Sequence, residues 1–148
     1  MQHFRHEVRI EAPVEQVWEF YCDTSNWKDF MPRAEFSEFS GPVDEVGTTY
    51  VQSMKLMSFE MSQTIEVVEI EPLRLIHEHS DTGPMDNYVR LEPDGEATNL
   101  VFESDYEMPG KLPGFMKDMV SKGWGERNWR NTLEDFKALV EARVPAKA

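Results

Sequence analysis

Leu100-Val101-Phe102-Glu103-Ser104-Asp105-Tyr106-Glu107-Met108 is the stretch that decides the fold. Leu100, Phe102, Ser104, Tyr106 and Met108 alternate with Val101, Glu103, Asp105 and Glu107. A period of two over so long a run predicts a strand with one face packed on a core and the other acidic and wet. Upstream, turn signals recur at Ser40-Gly41-Pro42, Glu45-Val46-Gly47, Glu71-Pro72, Thr82-Gly83-Pro84 and Pro93-Asp94-Gly95. Between them lie β-rich runs near 34–40, 48–56, 58–70, 74–80 and 86–92, with the decisive stretch itself at 97–108. Such close spacing leaves no room for intervening helices, so the strands form antiparallel meanders.

Downstream, Pro109-Gly110 and Pro113-Gly114 introduce the longest helical pattern, Phe115 to Arg143. As one helix it would span about 45 Å at ~1.5 Å per residue. Its apolar face carries Phe115, Met119, Trp129, Leu133, Phe136 and Val140, with Glu126 on the same side. Gly123-Trp124-Gly125 interrupts it, and each glycine costs about 1 kcal/mol relative to alanine. The N-terminal half is therefore thin and partly polar where packing is expected. At the other end of the chain, Phe4, Val8 and Ile10 alternate with Arg5, Glu7 and Arg9, a half-buried strand whose pattern His6 interrupts. Pro13 then opens a helix with Val14, Val17, Trp18 and Tyr21 on one face. Asp23-Thr24-Ser25-Asn26 ends that helix and offers caps for a short second one carrying Trp27 and Phe30.

The predicted fold is thus α+β: a curved antiparallel sheet of about seven strands around a long C-terminal helix, with two short helices after the first strand. At 148 residues, 40% hydrophobic and 11% aromatic, the chain reads as a single domain over 1–148 with a sizeable core. No run reaches the roughly eighteen apolar residues of a membrane span. The N-terminus lacks a signal-peptide core, and the lone Cys22 can form neither an internal disulfide nor a cysteine metal cluster, so a cytoplasmic location is expected. With 28 acidic residues against 15 basic and a net charge of −13, the surface disfavours nucleic acid and anionic membranes. No nucleophile elbow, phosphate loop or dinucleotide fingerprint is present, and nothing calls for a cofactor or metal. An exposed edge strand and Trp124 are compatible with a homodimer.

Three stretches carry a resemblance to a known superfamily: Ile10-Glu11-Ala12-Pro13-Val14-Glu15-Gln16-Val17-Trp18 with Asp23 and Asn26-Trp27; Glu45-Val46-Gly47-Thr48; and Glu69-Ile70-Glu71-Pro72-Leu73-Arg74-Leu75. In these, and in element order, the chain resembles the START-like helix-grip (SRPBCC) superfamily. That superfamily includes polyketide cyclases, birch-pollen-type allergens and quinone- or lipid-binding proteins. Length and opening segment are most similar to its polyketide cyclase/dehydrase branch. The resemblance implies an internal cavity for a small hydrophobic molecule. Enzymes of that branch commonly place an arginine on the fourth strand, where this chain has Gln63, Glu66 and Glu69.

Cavity candidates follow from parity. If Leu100–Met108 faces inward, Phe102, Ser104 and Tyr106 do too, and Tyr106 either orients a ligand or closes the core with its hydroxyl at the edge. His77-Glu78-His79 puts two imidazoles on one strand face. Inward, they contact a ligand or act as acid and base; in the alternative register they are solvated and Glu78 points in. Gln63 and Met61 on the fourth strand, and Met119, Trp124, Glu126 and Trp129 on the long helix, complete the candidates. The glycines beside Trp124 either open room for a ligand or relieve a close contact, and the many methionines line a pocket or fill a core. Three functions fit: a carrier of a lipid, quinone or polyketide-like molecule; a cyclase/dehydrase using Tyr106, His77 and His79; or a co-chaperone-like interaction domain, which requires an exposed apolar patch bordered by acid.

Overall fold

The computed structural model describes residues 2–56, 59–82, 84–107, 114–121 and 123–143, with backbone alone at Leu56, Phe59, Met116, Met119, Val120, Ser121 and Trp124. Strand β1 (Gln2–Ile10) is followed by helix α1 (Val14–Cys22), a 3-10 turn (Thr24–Asn26) and helix α2 (Trp27–Phe30). Six strands come next: β2 (Ala34–Ser37), β3 (Thr49–Leu56), β4 (Phe59–Glu71), β5 (Leu75–Ser80), β6 (Met85–Asp94) and β7 (Ala97–Tyr106). Helices α3 (Gly114–Ser121) and α4 (Trp124–Glu141) close the chain.

The seven strands form one antiparallel sheet in the order β1-β7-β6-β5-β4-β3-β2. Strands β2 to β7 are a meander, and β1 pairs with the last of them, so the first and second strands lie at opposite edges. The inner row of β7 is as expected, with Leu100, Phe102 and Ser104 buried on the concave face opposite Val8, His6 and Phe4 of β1, but Val101 on the other face is buried too, at 4% exposed. His6 therefore continues the inner row of β1, with its Nε2 3.8 Å from the Glu134 carboxylate of α4.

The expected single long helix is two helices. Gly123 stands between them at φ 74° and ψ 25°, a left-handed conformation that ends a helical run and that residues with a Cβ adopt only at a cost. The C-terminal half packs as anticipated. Leu133, Phe136 and Val140 of α4 are buried, and the Phe136 ring meets Phe20 and Phe30 edge-on, with centroids 5.4 Å and 5.1 Å away. Lys137 fastens this end to the sheet by donating to the Arg9 carbonyl at 2.7 Å and to Glu141 at 2.6 Å. Glu141 in turn accepts the Glu11 backbone N–H at 2.7 Å.

The polar stretch after α1 is equally purposeful. Asp23 accepts the Ser25 N–H at 3.1 Å, and Asn26 and Trp27 donate to the last carbonyls of α1, those of Phe20 and Tyr21, at 3.0 Å and 2.7 Å. Helix ends leave such carbonyls unpaired, so these side chains satisfy groups that would otherwise be orphaned in the core. They also fix Trp27, 1% exposed, beneath the sheet.

Candidate functional site

The interior lies between the concave face of the sheet and helices α1, α2 and α4. It holds a cavity of about 60 Å³. Tyr21, Trp27, Phe30 and Met31 wall it from the first two helices, Trp129, Thr132, Leu133 and Phe136 from α4. The sheet contributes Phe36, Tyr50, Gln52, Glu78, Asn87, Val89, Leu100 and Phe102. The cavity stands where the sequence anticipates one, but it is narrow. Two water molecules at ~30 Å³ each would fill it, and a cavity that holds benzene measures ~150 Å³.

Parity in β5 decides what enters this space. Ile76 pairs with Ile70 of β4 and Val89 of β6, both packed on the core, so Ile76 is inward and Leu75 is not. Glu78 and Ser80 follow Ile76 inward, buried to 3% and 1%, while His77 and His79 take the convex face. Of the two registers the sequence leaves open, the structure has the one with Glu78 inward, so His77 and His79 do not line the cavity. Leu75 and Ile76 are adjacent and equally apolar, so alternation alone admits both registers, and packing selects the one that buries the β-branched residue. A bulge in β4 between Val67 and Glu69 lets Val67 and Ile70 both contribute to the core, which further blurs the period-two signal.

Glu78 is the polar centre of the cavity. Its Oε1 accepts the Tyr21 hydroxyl at 2.9 Å, and its Oε2 accepts the hydroxyl of Tyr50 in a short contact. Burial raises its pKa from the ordinary carboxylate value, and the bonds from Tyr50 and Tyr21 offset only part of that rise. Both phenols are themselves pushed up, first by burial and then by the Glu78 carboxyl, so they stay protonated donors. Beside Glu78 in the ladder stands Asn87, and beside Asn87 stands Ser104, making a row of three buried polar residues across β5, β6 and β7. The Asn87 Oδ1 is buried and has no hydrogen-bond partner among the described residues.

The other candidates divide between wall and periphery. Phe102 and Trp129 line the cavity with their rings stacked at 4.5 Å and 28°. Ser104, 2% exposed, and the half-buried Tyr106 share the inner face of β7 but lie outside the cavity lining. The Tyr106 hydroxyl is raised by partial burial and then by the nearby charge of Glu126, which is exposed in the first turn of α4. Gln63 and Met61 pair with Gln52 and Met54 of β3 further along the concave face, and Gln63 Nε2 approaches the Met85 sulfur at 3.8 Å. The side chains of Trp124 and Met119 lie outside the described residues, as do Met57 and Met108.

On the convex face, Asp86 Oδ1 is shared by His77 Nε2 at 2.8 Å and His79 Nδ1 at 2.9 Å, and His79 Nε2 meets Asp81 at 2.7 Å. The Asp81 and Asp86 carboxylates raise the pKa of His79. His77 stacks on Tyr88 at 4.2 Å. No group of three or more ligating side chains suited to a metal occurs among the described residues. Burial pushes the Cys22 thiol up to about 12, which keeps it unreactive. Val46 and Phe115 are the exposed large hydrophobics of the described surface, far short of a docking patch. No helix among the described residues is long and apolar enough to cross a membrane.

Tyr21, Tyr50 and Asn87 are missing from the sequence-derived candidates, and Glu78 enters them only through the alternative register. The signal for Tyr21 is its place on the apolar face of α1, where a hydroxyl needs a buried acceptor; for Glu78 it is the choice of Ile76 over Leu75.

Comparison with known proteins agrees with this geometry. A family model described as polyketide cyclase / dehydrase and lipid transport matches residues 1–141. Among curated proteins, none matches the chain by sequence. Among solved structures, TTHA0849 from Thermus thermophilus superposes with a TM-score of 0.76 at 21% identity, covering 97% of this chain and 100% of that one. The Zhui aromatase/cyclase from Streptomyces sp. R1128 gives 0.75 at 23%, covering 98% and 96%. The KanY protein gives 0.73 at 16%, covering 95% and 97%. At these identities the likeness extends to the fold.

Proposed function

This chain belongs to the polyketide cyclase / dehydrase and lipid transport family, and we propose that it encloses a small, flat, mainly apolar molecule with its polar end against Glu78. The observation that carries this reading is a buried, doubly hydrogen-bonded carboxyl facing a cavity walled mainly by aromatic and aliphatic side chains. Buried ionisable groups are expensive, and a core without a ligand to orient is often at least as stable when the whole carboxyl–phenol cluster is replaced by apolar side chains. The present cavity is too small for such a molecule, so binding separates Trp129 from Phe102 and widens the space between α4 and the sheet. Lys137 and Glu141 hold the C-terminal end of α4, which confines that movement to the end following Gly123.

A second reading is favoured by the raised pKa of Glu78. In its protonated form, which burial favours, Glu78 gives its proton to the hydroxyl of a β-hydroxy ketone as that C–O bond breaks. The resulting carboxylate then takes the α-proton as the double bond forms, releasing water and restoring the acid. This assigns the acid–base role to Glu78 in place of the two histidines, which stand on the other face of the sheet.

Native mass spectrometry of the protein purified from its own host tests the binding reading. One apolar adduct per chain, lost on organic extraction, is the expected result. A chain that carries no adduct and takes up no aromatic probe at millimolar concentration refutes it. If a bound β-hydroxy ketone is released without dehydration, or if Glu78→Gln dehydrates it as fast as the wild type, the second reading fails and the first stands.

A further inference from the structure

Asn87 is a polar group lining the cavity that the Glu78 network leaves unused. It is 8% exposed, it lines the cavity, and its Oδ1 has no hydrogen-bond partner among the described residues. A buried acceptor left unpaired costs about as much as a lost hydrogen bond, so natural cores rarely tolerate one without a use. Its ladder partner is Glu78, whose two oxygens are each occupied by a phenol donor. The two neighbours therefore offer a ligand different things. Burial favours the protonated form of Glu78, which can donate, while Asn87 Oδ1 lacks a proton to receive.

A group that can satisfy both at once is a hydroxyl, which accepts from one side and donates on the other. An ether or a plain carbonyl accepts only, and a hydrocarbon does neither. We infer that Asn87 is a specificity-determining residue that selects ligands whose inner end is a phenolic or enolic hydroxyl over the same skeleton bearing an ether or no oxygen. The inference rests on the binding reading above and narrows the ligand to a hydroxylated ring system. Selection of this kind is strong because a site built for a hydroxyl leaves a buried polar atom unpaired when the hydroxyl is missing. One such bond corresponds to roughly tenfold in affinity.

The test uses three probes of one shape: 2-naphthol, 2-methoxynaphthalene and naphthalene, titrated calorimetrically into the full chain. Hydrophobic partitioning alone ranks 2-naphthol last, because it is the most water-soluble of the three. The wild-type protein is expected to bind 2-naphthol at least tenfold more tightly than either of the others. In Asn87→Leu, which keeps the side-chain volume and removes the acceptor, that preference falls to twofold or less while naphthalene affinity is retained. Retained naphthalene binding also establishes that the variant is folded. Should Asn87→Leu not fold, Asn87→Thr restores a smaller acceptor and is expected to show an intermediate preference. Equal binding of the three probes to the wild type, or tighter binding of the ether, overturns the inference and leaves the binding reading in place. A preference for 2-naphthol that persists undiminished in Asn87→Leu overturns it as well. If none of the three binds, the binding reading itself falls and takes the inference with it.

Discussion

Replacing Tyr50 with phenylalanine isolates one bond of the Glu78 network. The ring is 3% exposed and packs against Trp27 and Phe39, with centroids 5.4 Å and 5.1 Å away, contacts that phenylalanine preserves. What is lost is the hydroxyl that donates to Glu78 Oε2, leaving that oxygen buried and unpaired. Leaving a buried acceptor without its donor costs about 1–3 kcal/mol, and the structure offers Oε2 no replacement donor among the described hydrogen bonds. Tyr50→Phe should therefore cost about 2 kcal/mol, or a fall in Tm of about 4–8 °C for a chain of this size. Glu78→Leu should also destabilise, because it strands two phenol hydroxyls. The double variant should cost less than the sum of the two by at least about 1 kcal/mol, since the Tyr50 hydroxyl can be missed only once. Urea denaturation at pH 7 followed by circular dichroism measures all four corners of the cycle. A Tyr50→Phe effect under about 0.5 kcal/mol, or strict additivity, would refute the assignment of Glu78 as a buried, phenol-paired carboxyl.

Three further outcomes are expected. Glu78→Gln should gain on the wild type as pH rises. A carboxyl whose folded pKa is raised stabilises fully below its unfolded value near 4.5 and loses that contribution as pH climbs through the folded value. Each tenfold by which burial weakens the acid is worth about 1.4 kcal/mol, and a pH-independent difference between the two proteins would contradict the burial of Glu78. Gly123→Ala should destabilise by about 1–2 kcal/mol in thermal unfolding, from the left-handed backbone alone. Among the described residues the added Cβ would meet the Arg127 Nη1, at 3.5 Å, an ordinary contact; a neutral or stabilising result would mean the helix is continuous there. His79 should titrate above the ordinary histidine value of 6.5 in proton NMR, because Asp81 and Asp86 favour its charged form. Its contribution to stability is present at low pH and fades as pH passes the folded value. In Asp81→Asn the titration should move back down, and no movement would exclude that pairing.

The architecture was legible in the sequence because its signals are local. Period-two alternation in β7, turn residues between short β-rich runs and the capped stretch after α1 each specify a backbone shape by themselves. The helix break at Gly123 was visible as a propensity defect, though its consequence, two helices in place of one, depends on a left-handed φ that composition does not reveal. The site was legible only in part. Phe102 and Trp129 follow from strong periodicities, but Glu78 depends on whether Leu75 or Ile76 turns inward. That choice is made by Ile70 and Val89 on neighbouring strands, across a bulge, and no local pattern in β5 contains it. Tyr21 and Tyr50 converge on Glu78 from elements 57 and 28 residues away in sequence. Their meeting is a property of the folded chain, in which α1 lies across the concave face of the sheet.

The most direct test of the account is chemical-shift mapping with 2-naphthol on protein labelled with carbon-13 and nitrogen-15. Saturable shifts at the Glu78 carboxyl carbon, the Asn87 side-chain amide and the Trp129 indole N–H, with His77 and His79 unmoved, are the predicted result. Shifts confined to the convex face, or none at any concentration, would contradict a ligand held inside the sheet against Glu78.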